Sequence, residues 1–260
     1  MKRTLSLLLA LGLLGGASLV AQETKKAPAK KAAAPVFKFP PQPADVAAPR
    51  PGPDGKPLAS FLRSHESFLA VAKKGEAKVV FLGDSITAGW NGQKALFEKE
   101  FGQYQAANFG IGGDRTQHVL WRVENGEFDG LKPKAVVLMI GTNNSGAADN
   151  SPEQIAAGIK NIIAAIHQRS PETKVLLLAI FPRGATEANN LGRAKNQAVN
   201  ALIAKFDDGQ KVHFLDIGAK FLKPDGTLEK AIMPDLLHLN AASYQIWADA
   251  IREKLASLAK

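Results

Sequence analysis

The sequence predicts an α/β protein, a three-layer α/β/α sandwich on a five-stranded parallel sheet. Three observations lead there. Five apolar runs of strand length recur at 79–82, 106–109, 135–140, 175–180 and 212–215. Stretches of helical spacing separate them at 93–101, 115–124, 152–169 and 188–207, and a last one covers 240–258. The runs are continuous rather than alternating, as expected of strands covered on both faces, and strand–helix alternation at this spacing builds parallel βαβ units.

Before the first run come three different compositions. Residues 1–21 read as a secretory signal, with Lys2-Arg3 ahead of an apolar run over 5–20 and a cleavage site after Ala21. That run is short and glycine-rich for a stable span, so no membrane span is expected after cleavage. Residues 22–57 are dense in Pro, Lys and Ala and are expected to be a disordered, solvated linker. Residues 58–260 form the predicted folded domain. It opens with a helix over 59–73, where Phe61, Leu62, His65, Phe68, Leu69 and Ala72 keep helical spacing.

The net charge of +9 does not predict nucleic-acid binding. Lys2 and Arg3 carry two of the nine. Seven Lys/Arg against three acids in 22–57 carry four more, which leaves +3 on the domain itself. The absence of cysteine excludes disulfides, thiolate metal sites and a cysteine nucleophile.

The helix boundaries have local causes. Asp114 is expected to cap the helix over 115–124. Ser151-Pro152-Glu153 opens the helix over 152–169, with Pro at its first position, and Ser170-Pro171 closes it.

Four segments carry the chemistry. Gly83-Asp84-Ser85-Ile86-Thr87 follows the first strand, and 108–114, rich in glycine, follows the second. Gly141-Thr142-Asn143-Asn144 follows the third, and Asp235-Leu236-Leu237-His238 precedes the last helix. Parallel strands end on one side, so the loops after the first three share one edge of the sheet, where open α/β sheets place ligands. Taken singly, each segment has a plainer explanation. Gly-Asp-Ser can be a capping turn, a glycine-rich loop can be turn chemistry or a phosphate cradle, and Asp-x-x-His can be an ion pair at a helix start. A metal site is not expected, because His65, His118, His167 and His213 lack useful spacing to His238.

In order and placement, the four segments resemble the four blocks of the SGNH (GDSL-type) esterase superfamily over about residues 78–247. Within it, 108–114, His118-Val119-Leu120-Trp121-Arg122, Glu124-Asn125-Gly126-Glu127 and 141–144 look closest to the catalytic subunits of intracellular platelet-activating-factor acetylhydrolase. They are also similar to bacterial sugar-acetyl esterases. The resemblance implies a flavodoxin-like sheet and an acyl-ester hydrolase that needs no cofactor. It implies Ser85 as nucleophile, Asp235 and His238 as its partners, and an oxyanion hole from Ser85, Gly113 and Asn143.

The chemistry suits these residue types. A serine hydroxyl needs a base to take its proton, and an imidazole whose other nitrogen is held by a carboxylate is such a base. Asp84 and Asn144 are expected to brace their loops, and Asp114 is expected either to cap or to pair with Arg115. Trp90, Ile111, Phe181 and Met233 are expected to line an acyl pocket, and short loops with no inserted lid favour acetyl groups. The expected partner is a small-molecule or polysaccharide ester outside the cell. A lysophospholipase, a thioesterase and a non-catalytic wall- or carbohydrate-binding module are the alternatives.

Overall fold

The strand that leads to the site, β1 (Val79–Gly83), is flanked by β2 (Ala106–Gly110) and β3 (Ala135–Met139). In the computed structural model, which describes residues 42–146 and 150–260, β4 (Lys174–Leu178) and β5 (Val212–Leu215) complete the order β2-β1-β3-β4-β5. Every pairing is parallel. Val79 stands opposite both Ala106 and Ala135, and Val175 opposite Val212. This is the flavodoxin-like sheet expected from the sequence.

The helices are α1 (Ala59–Lys74), α2 (Ser85–Ala88), α3 (Lys94–Phe101), α4 (Thr116–Arg122), α5 (Thr142–Ser145), α6 (Pro152–Arg169), α7 (Leu191–Ile203) and α8 (Ala241–Leu258). Successive strand side chains point to opposite faces, so each strand feeds two cores. Val80, Leu82, Val136, Leu138, Val175 and Leu177 pack on the side of α4, α6 and α7. Val79, Phe81, Val137, Met139, Leu176 and Leu178 pack on the side of α8.

Capping chemistry sets the ends of the helices. Ser151 Oγ accepts from Gln154 N at 3.3 Å while Gln154 Oε1 accepts from Ser151 N at 2.9 Å, a reciprocal capping box at the start of α6. Asn190 accepts from Arg193 N at 3.0 Å, which starts α7 three residues later than its apolar pattern suggests. α4 begins after Arg115, whose N–H donates to His118 Nδ1 at 3.1 Å. Asp114 is therefore not the cap.

The expected linker needs correction. Residues 1–41 lie outside the described residues, and so does the expected signal, but 42–57 form an ordered strap across α4 and α6. Ala44 is fully buried, and its carbonyl accepts from Thr116 Oγ1 at 2.6 Å. Ala48 N donates to Gln117 O at 3.2 Å, and Asn161 Nδ2 donates to Asp45 O at 2.9 Å. A small loop then closes through Leu58 N to Arg50 O at 2.7 Å. The physical reason is that docking here goes mainly through backbone groups, which proline-rich composition leaves available.

Candidate active site

β1 stops at Gly83, and the chain turns directly into α2. The buried Asp84 caps that helix, Oδ1 accepting from Ile86 N at 2.9 Å. Ser85 is thereby the first helical residue, at the carboxyl edge of the sheet. A first helical residue has no intrahelical partner for its N–H. α8 clamps the short helix from below, where Tyr244 Oη donates to Ile86 O at 2.7 Å. Burial pushes the Asp84 carboxyl up to about 6, against the pull of the Ile86 N–H and the positive fields of His238 and Arg183.

His238 reaches this edge from the loop before α8. Its Nε2 lies 2.9 Å from Ser85 Oγ, and its Nδ1 lies 2.6 Å from Asp235 Oδ2. An ionised carboxylate only accepts, so Nδ1 carries the hydrogen and Nε2 is left to accept from the hydroxyl. The other Asp235 oxygen accepts from His238 N at 2.7 Å and Leu237 N at 3.1 Å. Burial works to raise the Asp235 carboxyl, but these N–H groups and the imidazole hold it below its ordinary value. Leu236, between them, takes a left-handed φ of 60°. Gly184 N holds its carbonyl at 2.9 Å, so this strained turn is tied down from outside. The His238 and Asp235 side chains are 43% and 56% exposed, which leaves the site open to solvent.

Two further loops meet at this edge. A Cβ placed on Gly112 would sit 3.9 Å from Ser85 Cβ, so the loop after β2 lies against the serine. Gly113 has a φ of 80°, a value that glycine adopts without strain. No described residue accepts from its N–H. Asn143, in α5, donates one amide hydrogen to Asp114 O at 2.8 Å, and its other hydrogen has no partner among the described residues. Asn144 is buried and locks the two loops together. It accepts from Thr116 N at 3.0 Å and donates to Gln117 Oε1 at 2.9 Å and Asn150 Oδ1 at 3.0 Å.

Beneath them lies a charged group the sequence did not announce. The fully buried Arg122 donates to Asp114 Oδ2 at 2.9 Å, to Glu127 Oε2, to Phe109 O at 3.1 Å and to Gly83 O at 3.4 Å. Glu127 in turn holds His65 Nδ1 at 3.1 Å. Burial would lower the Arg122 guanidinium, but the two carboxylates raise it overall. One cation thus fixes the ends of β1 and β2 and the base of the Gly112–Asp114 loop. Asp114 pairs with Arg122, not Arg115. A faint sequence signal exists, since Arg122 falls on the stripe with Val119 and Val123 that faces the core.

The four expected pocket residues do not open onto the site. Trp90 and Phe181 are 1% exposed, Met233 is 0% and Ile111 is 7%. Trp90 packs with Tyr244, Phe101 and Trp247 at ring-centre distances of 4.6 to 5.5 Å, and Phe181 packs with Phe221 at 4.7 Å. Large aromatic surfaces gain more from core burial than from a solvated mouth, so these rings support the site from underneath. Among the described residues no group of three or more His, Asp or Glu is arranged to hold a metal, and no helix is long and apolar enough to cross a membrane.

A five-stranded parallel sheet that presents a serine–imidazole–carboxylate chain at its carboxyl edge defines an α/β hydrolytic enzyme of the serine type. A family model of GDSL-like lipases and acylhydrolases matches residues 81–246, and the chain belongs to that family. It is a carboxylic-ester hydrolase. The chain is 39% identical to platelet-activating factor acetylhydrolase IB subunit alpha1 of Pongo abelii over 211 residues, 81% of this chain and 89% of that one. Its fold is similar to a GDSL-like lipase from Bacteroides thetaiotaomicron (TM-score 0.62, 21% identity, 75% of this chain and 97% of that one). It is also similar to an acetylxylan esterase from Geobacillus stearothermophilus (TM-score 0.53, 20% identity, 70% and 95%).

Proposed function

We propose that this protein is an exported serine esterase that removes acetyl and other short acyl groups from hydroxyls, its alcohol half a carbohydrate. The observation that carries the reading is the continuous chain from Ser85 Oγ through His238 to Asp235, at 2.9 and 2.6 Å. His238 Nε2 takes the hydroxyl proton as Ser85 Oγ adds to the ester carbonyl. The C=O electron pair moves onto oxygen, and the N–H groups of Ser85 and Gly113 with the Asn143 amide receive it. Collapse expels the alcohol, which collects the proton from His238 and leaves acetyl on Ser85. Water then adds to the acetyl carbonyl as His238 takes its proton, the bond from the acetyl carbon to Ser85 Oγ breaks with that proton passing to Oγ, and acetate leaves. Asp235 fixes the ring and balances the imidazolium charge in both halves.

Support for the acetyl group comes from two directions. Among the described residues, the loops around Ser85 carry no inserted lid. The names of two similar proteins, an acetylhydrolase and an acetylxylan esterase, share that acyl group. The carbohydrate alcohol is supported by the second name and by the charged start and apolar run of residues 1–21, which read as an export signal. A lipid alcohol is the second reading, favoured by the 39% identical relative.

Purified protein is assayed on p-nitrophenyl acetate and decanoate, then on acetylated xylan fragments and acetylated glycerophospholipid, with Ser85→Ala as control. The reading expects acetate turnover well above decanoate, acetate release from the sugar, labelling of Ser85 by an organophosphonate, and a mature N-terminus near residue 22. Preference for decanoate removes the short-chain assignment, and release from the lipid alone removes the carbohydrate.

A further inference from the structure

The strap delivers one side chain to the site. Arg50 Nη1 donates to the carbonyl oxygen of Gly112, and its guanidinium lies close against the next residue. A Cβ placed on Gly113 would fall 2.6 Å from both terminal nitrogens and 2.8 Å from Cζ. Arg50 makes no ion pair among the described residues, so its charge is not neutralised by a carboxylate at contact distance. The backbone that carries this side chain is held on both sides. Upstream, Ala44 and Ala48 bond to Thr116 and Gln117, and downstream, Leu58 N closes on Arg50 O.

The atom that Arg50 touches matters. Gly112 C=O and Gly113 N–H belong to one planar peptide group, with the oxygen and the hydrogen on opposite edges. A cation bonded to the oxygen draws electron density through the amide and leaves the N–H more positive, which is how hydrogen bonds in series strengthen one another. The N–H of Gly113 has no acceptor among the described residues, and Gly112, on the other side of the same peptide, lies against Ser85. From this juxtaposition, and resting on the esterase reading above, we infer that Arg50 is a positioning residue for the oxyanion hole. It polarises the Gly112–Gly113 peptide and fixes its orientation, so that the Gly113 N–H donates most strongly when charge develops on the substrate oxygen. The strap is in this sense part of the catalytic apparatus rather than a spacer ahead of it. Charge gathers on that oxygen only in the transition state, so the effect falls on kcat and leaves binding of the neutral ester alone.

The test compares wild type, Arg50→Gln and Arg50→Lys. The Gly113 amide proton is followed by nuclear magnetic resonance, alongside kcat and KM on p-nitrophenyl acetate and the affinity for a small alkylboronic acid that forms a tetrahedral adduct on Ser85. Loss of a whole oxyanion donor costs about 10²–10³ in rate, and weakening one should cost about tenfold to a hundredfold. Arg50→Gln is expected to move the Gly113 proton upfield, lower kcat by that factor with KM within twofold, and weaken the boronate in parallel. Arg50→Lys, which still brings a cation to the carbonyl, is expected to recover most of the loss. An unmoved Gly113 proton overturns the inference whether or not the protein hydrolyses esters. So does a raised KM at constant kcat, or a rate loss that lysine fails to recover while the melting temperature stays at the wild-type value. Failure of the esterase reading shows separately, as wild-type turnover no greater than that of Ser85→Ala.

Discussion

Asn143→Ala isolates one donor of the proposed oxyanion hole, and the structure separates its two expected effects. One amide hydrogen of Asn143 is committed to Asp114 O at 2.8 Å, and the other has no described partner. Losing the first removes one half-buried bond between loops, about 1 kcal/mol of stability. For a folded body of this size that lowers the melting temperature by about 2–4 °C. Losing the second removes a donor from the transition state, about 10²–10³ in kcat or about 2.7–4 kcal/mol of barrier. KM should hardly move, since the neutral ester carbonyl gains little from the amide before attack. Asn143→Asp sharpens the contrast: its carboxylate would face the developing negative charge, and kcat should fall below that of the alanine variant. Steady-state hydrolysis of p-nitrophenyl acetate and a thermal melt by circular dichroism measure both quantities. An alanine variant within threefold of wild-type kcat, with its melt lowered as expected, would show that the free amide hydrogen does not meet the oxyanion.

Three other outcomes follow from the buried groups. Arg122→Met leaves Asp114 and Glu127 carboxylates buried without their cation, and stability should fall by about 3–5 kcal/mol in urea unfolding. Burial, reinforced by the positive fields of Arg50, Arg115 and Arg122, pushes His118 down to about 3. Its neutral form therefore contributes full stability above pH 6.5, and that contribution drains away as pH falls toward 3. Wild type should lose up to about 3 kcal/mol from this group between pH 6.5 and 4, and His118→Gln should remove that loss from the pH dependence of the urea midpoint over the same range. Gly158→Ala, in α6, would ordinarily stabilise a helix by about 1 kcal/mol. Here the added methyl meets Ala44 O and Thr116 Oγ1, so the variant should be destabilised and residues 42–50 should become sensitive to limited proteolysis.

The sheet was legible because buried parallel strands write themselves as uninterrupted apolar runs. 79–82 and 135–140 could hardly be read otherwise, and both became central strands. Ser85 was legible because it stands where such a run breaks, Asp235 and His238 because their Asp-x-x-His segment resembles the last block of the family, and the structure brings the three within hydrogen-bonding reach. The strap was not. Its attachments run mainly through the backbone of Gln42, Ala44, Asp45 and Ala48, and backbone groups leave no trace in composition. Arg122 was hidden for a related reason: an arginine one turn after His118 reads as solvated until its carboxylate partners are known to be buried. The pocket assignment failed at Trp90, Phe181 and Met233 because a large apolar side chain near a loop suits a floor as well as a wall.

Where one cuts this polypeptide matters. A shortened protein starting at Leu58 would keep the triad yet lose Ala44 from its seat between Thr116 and Gly158, and with it Arg50. Such a truncation should still take up a phosphonate at the serine while turning over slowly. Turnover measured on it would understate the intact enzyme.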